Sequence, residues 1–217
     1  MTQKIAIVLS GCGVYDGAEI HESVLTMLAV DRAGATYQCF APDMPQLHVI
    51  NHLTGEPVDG ETRNVLIEAA RIARGAIKPL TEYDPADYDA LIFPGGFGAA
   101  KNLCTFAVAG PDCDVEADVE RAILQTRDAG KPIGALCISP ALMTKVLGDV
   151  QVTIGSDADT AAAIETMGGT HLQTTHGEVI FDEKHRLVTT PCYMLEATIS
   201  QIATGAEAVV KKVLELI

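Results

Sequence analysis

Apolar residues fall in short unbroken runs separated by longer mixed segments. Ile5-Ala6-Ile7-Val8-Leu9 is followed by Ser10-Gly11-Cys12-Gly13, and Ala90-Leu91-Ile92-Phe93 by Pro94-Gly95-Gly96-Phe97-Gly98. Runs of this length closed by turn residues predict strands buried on both faces. Ile133–Leu136 is a strand of the same kind, and Thr36–Ala41, closed by Pro42, reads as a further strand. Between them the apolar spacing is helical: residues 18–33 stopped by Gly34, 64–74 stopped by Gly75, and 115–129 stopped by Gly130. Strand, helix, strand with short links is the pattern of a parallel sheet.

Elsewhere the pattern is weaker. Val49–Val58 predicts a small hairpin turning at Thr54-Gly55, Ala76–Asp89 reads mostly as loop, and Val152–Ile154 as a short strand. Thr160–Met167 reads as helix, and residues 179–181 and 187–190 as strands joined around Asp182-Glu183-Lys184. A closing helix is expected from about Leu195 to Leu216, with an interruption at Gly205. No linker divides residues 1–217, so one α/β domain is expected, a sandwich around a mostly parallel sheet. Ligands of such sheets bind at the carboxyl ends of the strands. The loops after Leu9, Phe93 and Leu136 should therefore converge.

The third of these loops carries the chemistry. Ile133-Gly134-Ala135-Leu136-Cys137-Ile138-Ser139-Pro140-Ala141-Leu142 reads as a strand turning abruptly into a helix that runs to about Leu147. Small residues, Ala135 and Ser139, sit two positions either side of Cys137, as a tight nucleophile elbow requires. Pro140 fits the first turn of the helix. The helix-start amides, beginning with Ile138, should point at the sulfur and favour the thiolate. The plain alternative is a buried cysteine packed as a small hydrophobe. Pro94-Gly95-Gly96 can bring amides close to the same place, where Gly96 and Ile138 N–H groups would form an oxyanion hole; a Gly-Gly pair by itself is only a turn signal. The first helix offers Glu19 and Glu22. Glu22 shares a stripe with Ala18, Leu25 and Ala29, where a carboxyl tends to stay protonated and can move protons. Glu19 lies at the helix start; the plain expectation for both is a solvated surface carboxylate. No histidine directly follows Cys137, and His176-Gly177-Glu178 reads as a solvated loop rather than a relay partner.

Composition narrows the classes. The 217 residues are 48% hydrophobic and 20% charged, with a formal net charge of −14. This suits a globular protein with a real core and argues against nucleic acid and anionic membranes as partners. The six cysteines, Cys12, Cys39, Cys104, Cys113, Cys137 and Cys192, form no C-x-x-C pair or zinc-finger spacing, so no metal is expected. The apolar run at residues 5–9 is too short for a secretory signal or a membrane span, and with cysteines that form no motif pair it predicts a cytoplasmic location with reduced thiols.

The elbow Ala135-Leu136-Cys137-Ile138-Ser139-Pro140-Ala141, the turn Pro94–Gly98 and Glu22 on the first helix resemble the PfpI superfamily. Leu9–Gly17, Ile50–Glu56 and Thr189-Thr190-Pro191-Cys192-Tyr193-Met194 look like its enhancing-lycopene-biosynthesis (ElbB-type) glyoxalases, a branch named for isoprenoid biosynthesis. The resemblance covers nearly the whole chain. It implies a flavodoxin-like three-layer sandwich of the class I glutamine amidotransferase-like kind, usually a homodimer, with Cys137 as nucleophile. Counting back from Arg32-Ala33-Gly34 assigns the family glutamate to Glu22. It further implies a weak, cofactor-independent conversion of glyoxal to glycolate, with related members described as deglycases. A thiol sensor at an exposed, low-pKa Cys137 is the alternative role. The sequence departs from the pattern in two places: Ile138 stands where peptidase-like members carry histidine, and Gly155-Ser156-Asp157 where glyoxalase members often carry one.

Overall fold

A computed structural model describes residues 2–217; Met1, part of the segment read for a leader, lies outside the described residues. The first apolar run forms β1 (Lys4–Val8), followed by α1 (Ile20–Arg32) and β2 (Thr36–Ala41). The hairpin is present as β3 (Ile50–Asn51) and β4 (Glu56–Pro57), and α2 (Val65–Ile72) follows. Next come β5 (Ile77–Pro79), β6 (Ala90–Phe93), and the short helices α3 (Phe97–Lys101) and α4 (Phe106–Ala109). The chain continues through α5 (Ala117–Asp128), β7 (Ile133–Leu136), α6 (Ser139–Leu147), β8 (Gln151–Val152), α7 (Ala158–Thr166) and β9 (Thr170–His171). It closes with β10 (Ile180–Asp182), β11 (Leu187–Thr190) and α8 (Ile199–Glu215).

Seven strands make the main sheet, in the order β10-β11-β7-β6-β1-β2-β5. All neighbours are parallel except β10, which pairs antiparallel with β11. The central strands are apolar throughout because both faces are covered. Ile5 and Ile7 of β1 pack with α1, α2 and α8 on one face; Ala6 and Val8 pack with α5, α6 and α7 on the other. Each such isoleucine contributes about 1.5–3 kcal/mol through burial. The result is the expected three-layer α/β sandwich, and its strand order reverses between β1 and β6. That reversal opens a crevice at the strand ends.

Three expectations need correcting. Residues 76–89 are not mostly loop: β5 adds an edge strand beside β2, and Leu80–Glu82 and Pro85–Asp87 are single 3-10 turns. The closing helix begins at Ile199, after a 3-10 turn at Cys192–Met194, and runs through Gly205 without a break. A Cβ on Gly205 would stand 3.2 Å from Cys192 Sγ and 3.3 Å from Thr190 Oγ1. Glycine there lets α8 lie close against the segment after β11 instead of ending the helix. Third, Glu19 and Glu22 are not solvated: they are 7% and 0% exposed.

Candidate active site

Cys137 follows β7 directly and adopts φ 60°, a left-handed conformation that non-glycine residues rarely take. Such a turn costs on the order of 1–3 kcal/mol and must be held from outside. Here the Cys137 N–H donates to Thr190 O at 3.0 Å. The Ser139 hydroxyl donates to Pro94 O at 2.9 Å, tying the elbow to the turn after β6. Ala135 and Ser139 are both fully buried, so larger residues beside the bend would collide with the core. The N–H groups of Gly96 and Ile138 both point at the sulfur.

Glu22 reaches the same point from α1. Glu19 caps this helix, its Oε2 accepting from the Glu22 N–H at 2.7 Å, while the Glu19 N–H donates to Gly95 O at 2.9 Å. The Glu22 carboxyl accepts from the Gly95 N–H at 2.8 Å and from the Tyr193 N–H at 3.2 Å. The Cys137 thiol donates to it as well. Gly95 lies against both groups. A Cβ there would stand 2.3 Å from Cys137 Cβ, 2.7 Å from Glu22 Oε2 and 2.9 Å from Cys137 Sγ. Only a residue without a side chain lets acid and sulfur meet at this spot.

Burial governs the electrostatics. It pushes the Glu22 carboxyl up to about 8, helped by the Glu19 charge and opposed by the N–H groups of Tyr193 and Gly95. The raised value agrees with the position of Glu22 on an apolar stripe. Burial also raises the Cys137 thiol well above its usual value, and the Glu22 charge adds to this. The expected preference for thiolate is therefore corrected. The Gly96 and Ile138 amides pull the other way, but desolvation outweighs them. A thiol raised this far stays protonated at neutral pH, so the acidic thiol required of a sensor is absent at Cys137.

The sulfur opens into a cleft of about 370 Å³. Its walls are mainly apolar, with Phe97, Phe106, Ala107 and Met194 around Cys137, and Asp157, Thr160 and Tyr193 adding polar groups. Asp157 caps α7, accepting from the Thr160 N–H at 2.8 Å. The sequence reading did not single out these wall residues as functional. Tyr193 did lie within a stretch that carried the resemblance, and its hydroxyl is 2.8 Å from His21 Nδ1. His176, Glu178 and Cys12 do not line the cleft; Glu178 instead accepts from the Thr175 N–H. Among the described residues, no group of three or more His, Cys, Asp or Glu side chains could hold a metal ion, and no helix is long and apolar enough to cross a membrane.

No protein-family model matches the sequence. Over 98% of its length the chain is 51% identical to the Homo sapiens glutamine amidotransferase-like class 1 domain-containing protein 3, mitochondrial, covering 83% of that protein. It is 50% identical to the Rattus norvegicus ES1 protein homolog, mitochondrial, over 98% of its length and 84% of the relative's. A crystal structure of an Ehrlichia chaffeensis isoprenoid biosynthesis protein with an amidotransferase-like domain is 34% identical, superimposes with a TM-score of 0.93 and covers 99% of both chains. Glyoxalase III from Candida albicans, 13% identical with a TM-score of 0.62 over 99% and 97% of the chains, shares the fold. The cytoplasmic expectation is corrected by these relatives, whose names place them in mitochondria. The short apolar run that excluded a secretory signal carries no information on mitochondrial targeting, which relies on amphipathic segments. On this identity and coverage, the chain belongs to the glutamine amidotransferase-like class 1 (ES1) family, built on the DJ-1/ThiJ/PfpI fold.

Proposed function

We propose that the chain is a cofactor-independent glyoxalase that converts glyoxal and related small 2-oxoaldehydes to 2-hydroxy acids through Cys137. One observation carries this reading: a buried acid and a thiol in hydrogen-bond contact, with two N–H groups on the sulfur, at the end of a cleft. With its pKa near 8, Glu22 has an accessible carboxylate form at neutral pH and can also return a proton. The carboxylate takes the thiol proton as sulfur attacks one aldehyde carbon, giving a hemithioacetal. The N–H groups of Gly96 and Ile138 lie where they would stabilise the developing oxyanion. Glu22 then moves the proton from that carbon to its neighbour through an enediol, leaving a thioester of glycolate. Water cleaves the thioester to glycolate and regenerates the thiol. Likeness of fold to glyoxalase III supports the class of chemistry.

The thiol-sensor alternative has lost its premise at Cys137, whose burial raises its pKa. The same proposal takes a homodimer as the working form. The exposed Ile20, Val24 and Leu28, spaced along one side of α1, supply an apolar stripe for it. The test is conversion of glyoxal to glycolate by metal-stripped protein, followed by proton NMR. Loss of glycolate in Cys137→Ser supports the proposal; equal rates in both proteins reject it.

A further inference from the structure

All six cysteines are free thiols, and five of them take no part in the chemistry above. Two of the five stand together. Cys104 and Cys113 are buried; the Cys104 thiol donates to Ala99 O at 3.3 Å and lies within interacting reach of the Cys113 thiol, each shifting the other's ionisation. The main chain brings them there. Cys104 forms an isolated antiparallel bridge with Val115. The Glu116 N–H donates to Leu103 O and the Thr105 N–H to Asp114 O, each at 2.9 Å. These bonds fold the chain back on itself, so the two cysteines lie diagonally across the neck of a closed loop.

That loop contains α4, whose Phe106 and Ala107 wall the Cys137 cleft. On its other side Cys113 lines a separate surface hollow with Lys145, and Lys145 Nζ donates to Pro111 O at 3.1 Å. The neighbouring Cys104 thiol and then the Lys145 charge bring the Cys113 thiol down to about 7, while Cys104 is pushed up. A thiol of lowered pKa that lines a surface hollow, beside one whose pKa is raised, has the parts of an attacking and a resolving cysteine.

We propose that Cys104 and Cys113 form a reversible disulfide that closes the loop bearing the α4 wall of the active-site cleft. The oxidant is a hydroperoxide. The Cys113 thiolate attacks one peroxide oxygen, the O–O bond breaks and hydroxide leaves, giving a sulfenic acid on Cys113. The Cys104 sulfur attacks that sulfur, the S–O bond breaks, and the departing hydroxide leaves as water with the Cys104 proton. Together the two thiols lose two electrons and two protons, and one hydrogen peroxide becomes two waters. A reducing dithiol reverses the bond by exchange.

This inference is independent of the reaction proposed at Cys137. Both cysteines lie in one tryptic peptide, residues 102–121. The native full-length protein is treated with graded hydrogen peroxide, denatured, alkylated, digested and mass-analysed. The expected peptide is two hydrogens lighter and carries no alkyl group, and dithiothreitol restores both alkylation sites. The oxidised protein should melt several degrees higher, because the bond restrains the unfolded chain. In Cys104→Ser, Cys113 should instead accumulate sulfenic and sulfinic acids. Full alkylation of both cysteines across the peroxide range, or linkage of either to a different cysteine, overturns the proposal. The wild-type peptide decides the matter even if the variant fails to fold.

Discussion

The thiol of Cys137 donates to the carboxyl of Glu22, and the negative charge of Glu22 raises the pKa of Cys137. The two groups thus form a pair that resists ionising together. A change to either partner should be felt by the other.

Glu22→Gln tests the proton transfer. Glutamine keeps the shape but cannot take up the thiol proton. Glyoxal turnover should fall about 10²- to 10⁴-fold, the usual range for a lost acid–base group. Circular dichroism should remain that of the parent. Unchanged turnover by proton NMR would remove Glu22 from the mechanism.

The raised carboxyl also predicts how stability depends on pH. A group moved from 4.5 unfolded to about 8 folded holds its proton longer in the folded state. Folding is therefore favoured most below the unfolded value, and stability declines as pH rises from 4.5 to about 8. At its steepest the slope from this one group is about 1.4 kcal/mol per pH unit. Urea denaturation across this range should show the decline in the parent and a flatter profile in Glu22→Gln.

Gly95→Ala should damage both stability and catalysis. Its Cβ would overlap the Cys137 side chain and the Glu22 carboxyl, and overpacking of this kind costs about 1–3 kcal/mol. A parent-like urea midpoint would show that the two groups have room to separate.

Asp157→Ala should loosen the far wall of the cleft. Its side chain caps α7 through the Thr160 N–H; the Thr160 hydroxyl, and then that N–H, hold its carboxyl below the usual range. Losing such a cap costs about 0.5–2 kcal/mol. The pKa of Asp157 is depressed in the folded state, so the difference between parent and variant should be present above the unfolded value of 3.8 and shrink as pH falls through the folded one. Chemical denaturation at neutral and at acid pH measures both.

The apolar stripe on α1 gives the last prediction. Val24→Asp should convert a homodimer to monomers in light scattering while leaving circular dichroism unchanged. A parent protein that is monomeric would remove the dimer from the proposed function.

How far the sequence revealed this molecule depends on how local each determinant is. β1, β6 and β7 were legible because burial on both faces leaves an unbroken apolar run. The bend at Cys137 was legible because Ala135 and Ser139 mark the space it needs. β5 was not, since Ile77-Lys78-Pro79 is short, mixed and at the sheet edge. The burial of Glu19 depends on Gly95, a residue distant in sequence that accepts its N–H. The protonation of Cys137 turns on how deeply the sulfur is enclosed, which spacing along the chain does not encode. The walls from α4 and α7 come from helices that contribute nothing to the elbow, so no pattern around Cys137 pointed to them.

Gly95 gives its carbonyl to the first turn of α1 and its N–H to the acid that follows in the same helix. This clasp fixes sulfur and acid from the sheet side alone. The helices that shape the entrance are separate parts. Exchanging residues on α4 and α7 can therefore change what the cleft admits while the Cys137–Glu22 contact stays as it is.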